Sequence, residues 1–149
     1  MSASRRRLAF RNAALFDSRA GVLRPGATVV VEGAFIAGVE FGAVKVDDAE
    51  VHDLAGKALL PGLIDAHVHV TAVSHDVLRL ALTPPSLITA QSKEILEGML
   101  ARGFTSVRDA AGADFGLAEA VERGLFDGPR LFISGQPLSQ TGGHGDVRP

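Results

Sequence analysis

The sequence predicts an α/β protein in which a β-rich segment precedes a segment of alternating strands and helices. Residues 8–60 contain short apolar and β-branched runs separated by turn residues, with no helical period. Residues 61–149 then follow the order strand, helix, strand, helix, strand. Because strands that alternate with helices build βαβ units, this second segment predicts a parallel sheet. We therefore expect one domain at residues 1–60 and another at residues 61–149.

The first segment has the pattern of a small β-sandwich or part of one. Thr28–Val31 is β-branched and apolar, Glu32-Gly33 supplies a turn, and Phe35–Val39 returns, which together predict a β-hairpin. Val51–Leu54 and Ala58–Leu60 are two further strand pieces.

In the second segment, the spacing of apolar residues and the positions of Pro and Gly define each predicted strand and helix. The predicted elements are strands at 63–70, 104–109 and 131–134 and helices at 85–102 and 117–123. Pro84-Pro85 suits the start of the first helix, and Gly103 suits its left-handed C-terminal cap. We interpret residues 74–76 as a loop.

Composition excludes several classes of protein. The 149 residues are 46% hydrophobic and 21% charged, as in a globular domain, and the net charge of −2 argues against a nucleic-acid partner. No cysteine is present, so a metal would need His, Asp, Glu or a modified Lys as ligands. No apolar run reaches the roughly 18 residues of a membrane helix, and no signal-peptide core is recognisable. We expect a cytoplasmic protein without a membrane partner.

His67 and His69 form the principal candidate site. They are two residues apart on a predicted strand, so both imidazoles point to one face, with Cα atoms about 6.5 to 7 Å apart. Two imidazoles can converge on one ion from there, since zinc–nitrogen bonds are about 2.0–2.1 Å. Asp65 shares that face one step deeper and could orient a ligand through a hydrogen bond. The alternative is a pair of strand histidines that merely pack or face solvent.

Three segments resemble the amidohydrolase superfamily. Residues 59–69 read LLPGLIDAHVH and are similar to its first barrel strand, and residues 102–109, RGFTSVRD, are similar to its second. Residues 128–144, GPRLFISGQPLSQTGGH, resemble the third strand and its loop. This last segment is closest to the branch that contains imidazolonepropionases and Xaa-Pro or Xaa-Arg dipeptidases. The β-rich segment resembles the small sandwich domain that precedes the barrel in these enzymes.

The resemblance implies a TIM (β/α)8 barrel of which this chain carries the first three strands, as an N-terminal fragment. It also implies one or two divalent ions, commonly zinc, the more buried of which is held by His67 and His69. A carboxylated lysine, two later histidines and an aspartate that acts as general base would complete the site. None of these can be assigned before Pro149, since Lys93 lies on the first barrel helix and not at a strand end.

Five other side chains are considered as functional residues, and each also has a simpler structural interpretation. His144 follows the third strand on the catalytic side and is a candidate substrate contact, or else an ordinary loop residue. Arg108 and Asp109 end the second strand at the same face, where they are candidates to hold the metal ligands in place; the simpler interpretation, which we favour, is a local ion pair that shapes the mouth of the barrel. We interpret His75 as a loop residue and His52 as structural.

We expect the complete protein to hydrolyse C–N bonds in a small-molecule dipeptide or cyclic amide, with a metal-activated water. Two alternatives stay open: a non-catalytic barrel fragment that serves as an interaction module, and a deaminase of the same superfamily. The isolated chain is expected to be inactive, and homo-oligomerisation is left open. The sequence does not define the substrate or the number of metal ions.

Overall fold

The computed structural model describes residues 6–143. The chain divides into two compact units, the first ending at Pro61 and the second beginning at Gly62. In the described residues the first unit contains strands, and the second contains both strands and helices. The prediction of a mixed α/β protein is confirmed.

The first unit is a single five-stranded sheet. Its strands are β1 (Arg7–Asp17), β2 (Val22–Glu32), β3 (Phe35–Phe41), β4 (Glu50–Asp53) and β5 (Ala58–Leu59). The order is β3-β2-β1-β4, and β5 also pairs with β1. The β2–β3 hairpin is confirmed, because Glu32 pairs with Phe35 around a turn at Gly33, whose φ is 61°. Phe35 and Ile36 are each 69% exposed.

The long first strand, β1, was not among the strands that the sequence predicted. β1 pairs antiparallel with β2, but the register shifts between Phe10 and Ala13. Asn12 lies in this bulge with a φ of 55°. Since a bulge interrupts the alternation of side chains, it hides a continuous strand from a period-two pattern. Ala9 and Ala13 are nevertheless both buried.

The second unit has the predicted order of strands and helices with one addition. Its elements are β6 (Leu63–Val68), α1 (Val77–Leu82), α2 (Pro85–Ala101), β7 (Phe104–Asp109), α3 (Phe115–Glu122) and β8 (Arg130–Ile133). The three strands are parallel in the order β6-β7-β8. α1 was not predicted, because six residues are too few to show a helical period. It begins after Asp76, whose carboxylate accepts the Arg79 N–H at 3.0 Å.

In the second unit, the ends of the other elements agree with the predicted ends to within two residues. In the first unit, β2 begins at Val22, six residues before its predicted start at Thr28. α2 begins at the double proline, and Gly103 follows it with a φ of 94°, as predicted. α3 begins two residues earlier than predicted, because Asp114 caps it through the Leu117 N–H at 2.9 Å. β6 ends at Val68 and not at Val70.

The core of the second unit lies between the sheet and the helices. Its buried members are Val68, Val70, Leu96, Val107, Ala113 and Leu117. Ile64 on β6 is 75% exposed. No helix in residues 6–143 is long and apolar enough to cross a membrane.

Candidate metal centre

His67 and His69, called here the histidine pair, lie at the C-terminal end of β6. His67 is in the strand and His69 is the first residue after its last member, Val68. The two Nε2 atoms are 3.3 Å apart, and the rings meet edge to face at 81°. Two nitrogens bound at about 2.0–2.1 Å to one tetrahedral ion would lie about 3.3–3.4 Å apart. The spacing therefore fits a shared ion, and it equally fits one Nε2–H donating to the other Nε2.

The second ring nitrogen of His69 has a backbone partner. Nδ1 lies 3.4 Å from the carbonyl oxygen of Ala111, in the loop after β7. A proton on Nδ1 donates to this carbonyl and leaves the Nε2 lone pair available to an ion. A hydrogen bond to the other nitrogen is the usual way in which proteins set the tautomer of a histidine ligand.

Asp109 does not form the expected ion pair with Arg108. Its side chain is fully buried, whereas Arg108 is exposed. The Asp109 carboxylate accepts the N–H groups of Val70 at 2.7 Å, and of Ala111 and Ala113 at 3.1 Å each. Adjacent residues of a strand point to opposite faces, which explains why the two side chains separate. Asp109 thus joins the end of β6 to the loop after β7.

Asp65 contacts the backbone of the histidine pair and not its rings. Its Oδ1 atom accepts the backbone N–H of His67 at 3.1 Å. The side chain is half-buried. This contact orients the main chain that carries His67, whereas the expected hydrogen bond to an imidazole is not formed among the described residues.

The remaining histidines of the sequence analysis are His144, His75 and His52. His144 lies outside the described residues. His75 is an exposed residue just before α1. His52, in the first unit, pairs with Glu50 at 3.1 Å and stacks on Phe10. Lys93 pairs with Glu97 on α2.

Within residues 6–143, no group of three or more His, Asp or Glu side chains is placed to hold a metal ion. A catalytic zinc usually has three protein ligands and one open position. The described residues therefore supply two histidines whose spacing fits an ion, and a backbone contact that supports one of them. The Ala111 carbonyl was missed by the sequence analysis, because a backbone acceptor has no residue signature.

A sequence model of the Amidohydrolase family matches residues 58–149 of the chain. This chain belongs to the amidohydrolase family. Amidohydrolases are hydrolases that act on C–N bonds and are generally metal-dependent. The matched residues include the histidine pair and all of the second unit's described elements.

Characterised amidohydrolases are similar to parts of this chain. Ochratoxinase of Aspergillus niger is 37% identical over 92 residues, which cover 60% of this chain and 19% of that protein. An adenine deaminase of Serratia proteamaculans is 44% identical over 63 residues, or 42% of this chain and 10% of that protein. The chain thus spans about a fifth or less of the length of these relatives.

Solved structures of amidohydrolases resemble nearly the whole chain. A prolidase in complex with N-methylphosphonate-L-proline matches at a TM-score of 0.90 and 46% identity, covering 96% of this chain and 35% of that one. A Xaa-Pro dipeptidase with methionine in its active site matches at a TM-score of 0.80 and 25% identity, covering 94% and 36%. These neighbours confirm the resemblance to dipeptidase-like amidohydrolases.

Proposed function

We propose that this chain supplies the first two metal ligands of an amidohydrolase that hydrolyses a dipeptide or a cyclic amide. The observation that carries the proposal is the 3.3 Å separation of the His67 and His69 Nε2 atoms. Membership of a family that is generally metal-dependent supports the same role. The prolidase and the Xaa-Pro dipeptidase favour a dipeptide substrate.

The proposed architecture follows from the same comparison. Residues 61–149 form the first βαβαβ portion of a (β/α)8 barrel, and residues 1–60 form part of the small β-sandwich. The parallel order β6-β7-β8 supports the first assignment. The position of the histidine pair at the C-terminal end of β6 also supports it, since barrel enzymes keep their catalytic groups at that end. We further propose that the protein acts in the cytoplasm on a small molecule, without nucleic acid or membrane.

In the proposed mechanism, four of the described residues each have a defined role. His67 and His69 would hold a divalent ion, zinc by preference. Such an ion would activate a water molecule and polarise a substrate carbonyl. Ala111 keeps the proton of His69 on Nδ1, and Asp109 holds Ala111 in place. The general base and the remaining ligands are expected beyond residue 149, and His144 is a proposed substrate contact.

Zinc titration of the 149-residue chain tests the metal ligands. We expect His67→Ala and His69→Ala each to weaken zinc binding by about tenfold or more, because each removes one of two ligands. His75→Ala is the matched control, since His75 is also exposed and belongs to the same unit. Equal zinc affinity in the double variant His67→Ala, His69→Ala and in the unchanged chain would refute the assignment.

A deaminase is the second candidate, and the identity of 44% to an adenine deaminase favours it. The two reactions share metal-activated water and differ in the carbon attacked, either an amide carbonyl or an amidine-like ring carbon. The product of the complete reading frame, loaded with zinc, separates them. Release of proline from Leu-Pro supports the dipeptidase, whereas release of ammonia from adenine supports the deaminase.

A further inference from the structure

A cavity of about 460 Å³ adjoins the histidine pair within the second unit. His69 forms part of its wall, together with α1, the start of α2 and the loops that follow β7 and β8. Small-molecule sites have volumes of about 300–1,000 Å³. The cavity is therefore large enough for part of a ligand that is held next to His69.

The helices line this cavity mainly with apolar side chains. Val77, Leu80 and Ala81 come from α1, and Pro85 and Ile88 come from the first turn of α2. α1 has no buried residue at all. Its apolar side chains at the cavity are therefore available to a ligand, and burial of apolar surface would favour binding.

Among the described lining residues, no Lys or Arg is present to pair with an acidic group. Among the described lining residues, His69 and Asp114 are the ionisable ones. The Asp114 carboxylate already accepts the N–H of Leu117 as the cap of α3. A charged group placed in an apolar cavity without a partner is strongly disfavoured.

We infer that this cavity is a subsite for an uncharged, apolar side chain of the substrate. Because His69 lines the cavity, a substrate side chain bound there would lie next to the histidine pair. The inference rests on the proposed function for the statement that the ligand is a substrate. The preference of the cavity for an apolar side chain rests on the apolar side chains that α1 and α2 contribute to its wall, and is independent of the bound metal.

Methyl NMR of the metal-free product of the complete reading frame tests the subsite. The probe is N-acetyl-L-leucine amide, and N-acetyl-L-asparagine amide is the polar probe of similar size. We expect the leucine probe to bind about tenfold more tightly and to shift the methyl signals of Val77, Leu80 and Ile88. Leu78 and Leu82, also on α1 but not lining the cavity, are the internal controls.

Filling the cavity should remove this preference. We expect Ala81→Phe to weaken binding of the leucine probe about tenfold, whereas Ala90→Phe, at an exposed position of α2 away from the cavity, should leave it unchanged. Leu80→Ala enlarges the cavity and should shift the preference towards N-acetyl-L-phenylalanine amide. This second variant keeps the test decisive if Ala81→Phe fails to fold.

The inference is overturned if the leucine probe shifts no methyl signal of a lining residue, or shifts the signals of Leu78 and Leu82 as much as those of the lining residues. It is also overturned if the probe binds Ala81→Phe as tightly as the unchanged protein. These outcomes are independent of metal binding and of turnover. A failure of the proposed function would appear in the zinc titration of the histidine variants, with the methyl shifts unaffected.

Discussion

The carboxylate of Asp109 accepts a 2.7 Å hydrogen bond from the backbone N–H of Val70, the residue that follows His69. The same carboxylate accepts the N–H of Ala111, whose carbonyl lies 3.4 Å from Nδ1 of His69. His69 is thus held through the backbone on two sides by one buried acid. Because these bonds are charge-assisted, they are stronger than bonds between neutral groups.

Asp109→Asn should weaken zinc binding about tenfold and lower the free energy of unfolding by about 1–3 kcal/mol. Asparagine keeps one oxygen acceptor and turns an NH2 group towards at least one buried N–H, which loses its partner. Calorimetric zinc titration and thermal unfolding measure the two effects. Nitrogen-15 shifts of the His69 ring in the metal-free protein report whether Nδ1 still carries the proton.

Asp76→Asn is the matched control for this substitution. Asp76 also accepts a backbone N–H, as the N-cap of α1, and asparagine serves equally well at an N-cap. If Asp109→Asn lowers stability but leaves zinc affinity and the His69 tautomer unchanged, Asp109 is structural only.

Gly62→Ala should destabilise the second unit by about 1–3 kcal/mol. A Cβ atom at this position would lie 2.1 Å from Oγ1 and 2.7 Å from Cβ of Thr105, so rotation of the threonine side chain cannot relieve the clash. The double variant Gly62→Ala, Thr105→Gly should recover most of the loss in a chemical unfolding experiment. Gly38→Ala is the control, because nothing lies within 4 Å of its added Cβ. The clash is ruled out if Gly62→Ala lowers the free energy of unfolding by the same amount in the protein with Thr105 and in the protein with Thr105→Gly.

Asn12→Gly should raise the pKa of Asp53. The Asn12 side chain donates to the Asp53 carboxylate at 2.8 Å, and this bond lowers the pKa of that carboxyl, with the backbone N–H of Ala55 adding to the effect. Glycine removes the donor and tolerates the φ of 55° at this position. Carbon-13 titration of the Asp53 carboxyl measures the shift, and an unchanged pKa would contradict the prediction.

The lowered pKa of Asp53 also determines how the stability of the protein changes with pH. A carboxyl whose pKa is depressed on folding stabilises the protein above its unfolded-state pKa and loses this contribution as the pH falls through its folded-state pKa. The stability difference between the unchanged protein and Asn12→Gly should therefore shrink on acidification through that range.

The isolated 149-residue chain should not hydrolyse dipeptides. Its described residues bring together two proposed metal ligands, whereas a catalytic zinc usually has three and needs a base to activate water. Incubation with Leu-Pro and zinc, followed by chromatographic detection of proline, is the measurement. Zinc-dependent release of proline that is lost in His67→Ala would show that the chain is catalytic by itself.

The isolated chain should also self-associate. Phe35 and Ile36 are each 69% exposed, and Ile64 is 75% exposed. In the described residues, β6 and β8 each pair with one strand only, so each has a free edge. Exposed apolar side chains and free strand edges promote association. Light scattering over a range of concentrations measures it, and a monodisperse monomer with one sharp thermal transition would favour the non-catalytic module.

The sequence by itself determined the α/β class, the placement of His67 and His69 close together on one strand, and the ends of α2. His67 and His69 share a face because side chains alternate along a strand, which is a local rule that spacing alone expresses. Pro84-Pro85 and Gly103 mark the ends of α2 because both residue types restrict or relax φ locally. The sequence predicted neither α1 nor β1, since the first is too short to show a helical period and the second is interrupted by a bulge.

Only the tertiary structure decided how His69 is supported. His69 and Ala111 are 42 positions apart, and the contact uses a backbone carbonyl that every residue possesses. Asp109 was expected to pair with its neighbour Arg108, but burial removes the carboxylate from water and backbone N–H groups satisfy it instead. A strand pattern shows which residues share a face, whereas the partners of a buried charge depend on which loops the fold brings against it. For this reason the shared face of His67 and His69 was predictable from their spacing, and the support of His69 was not.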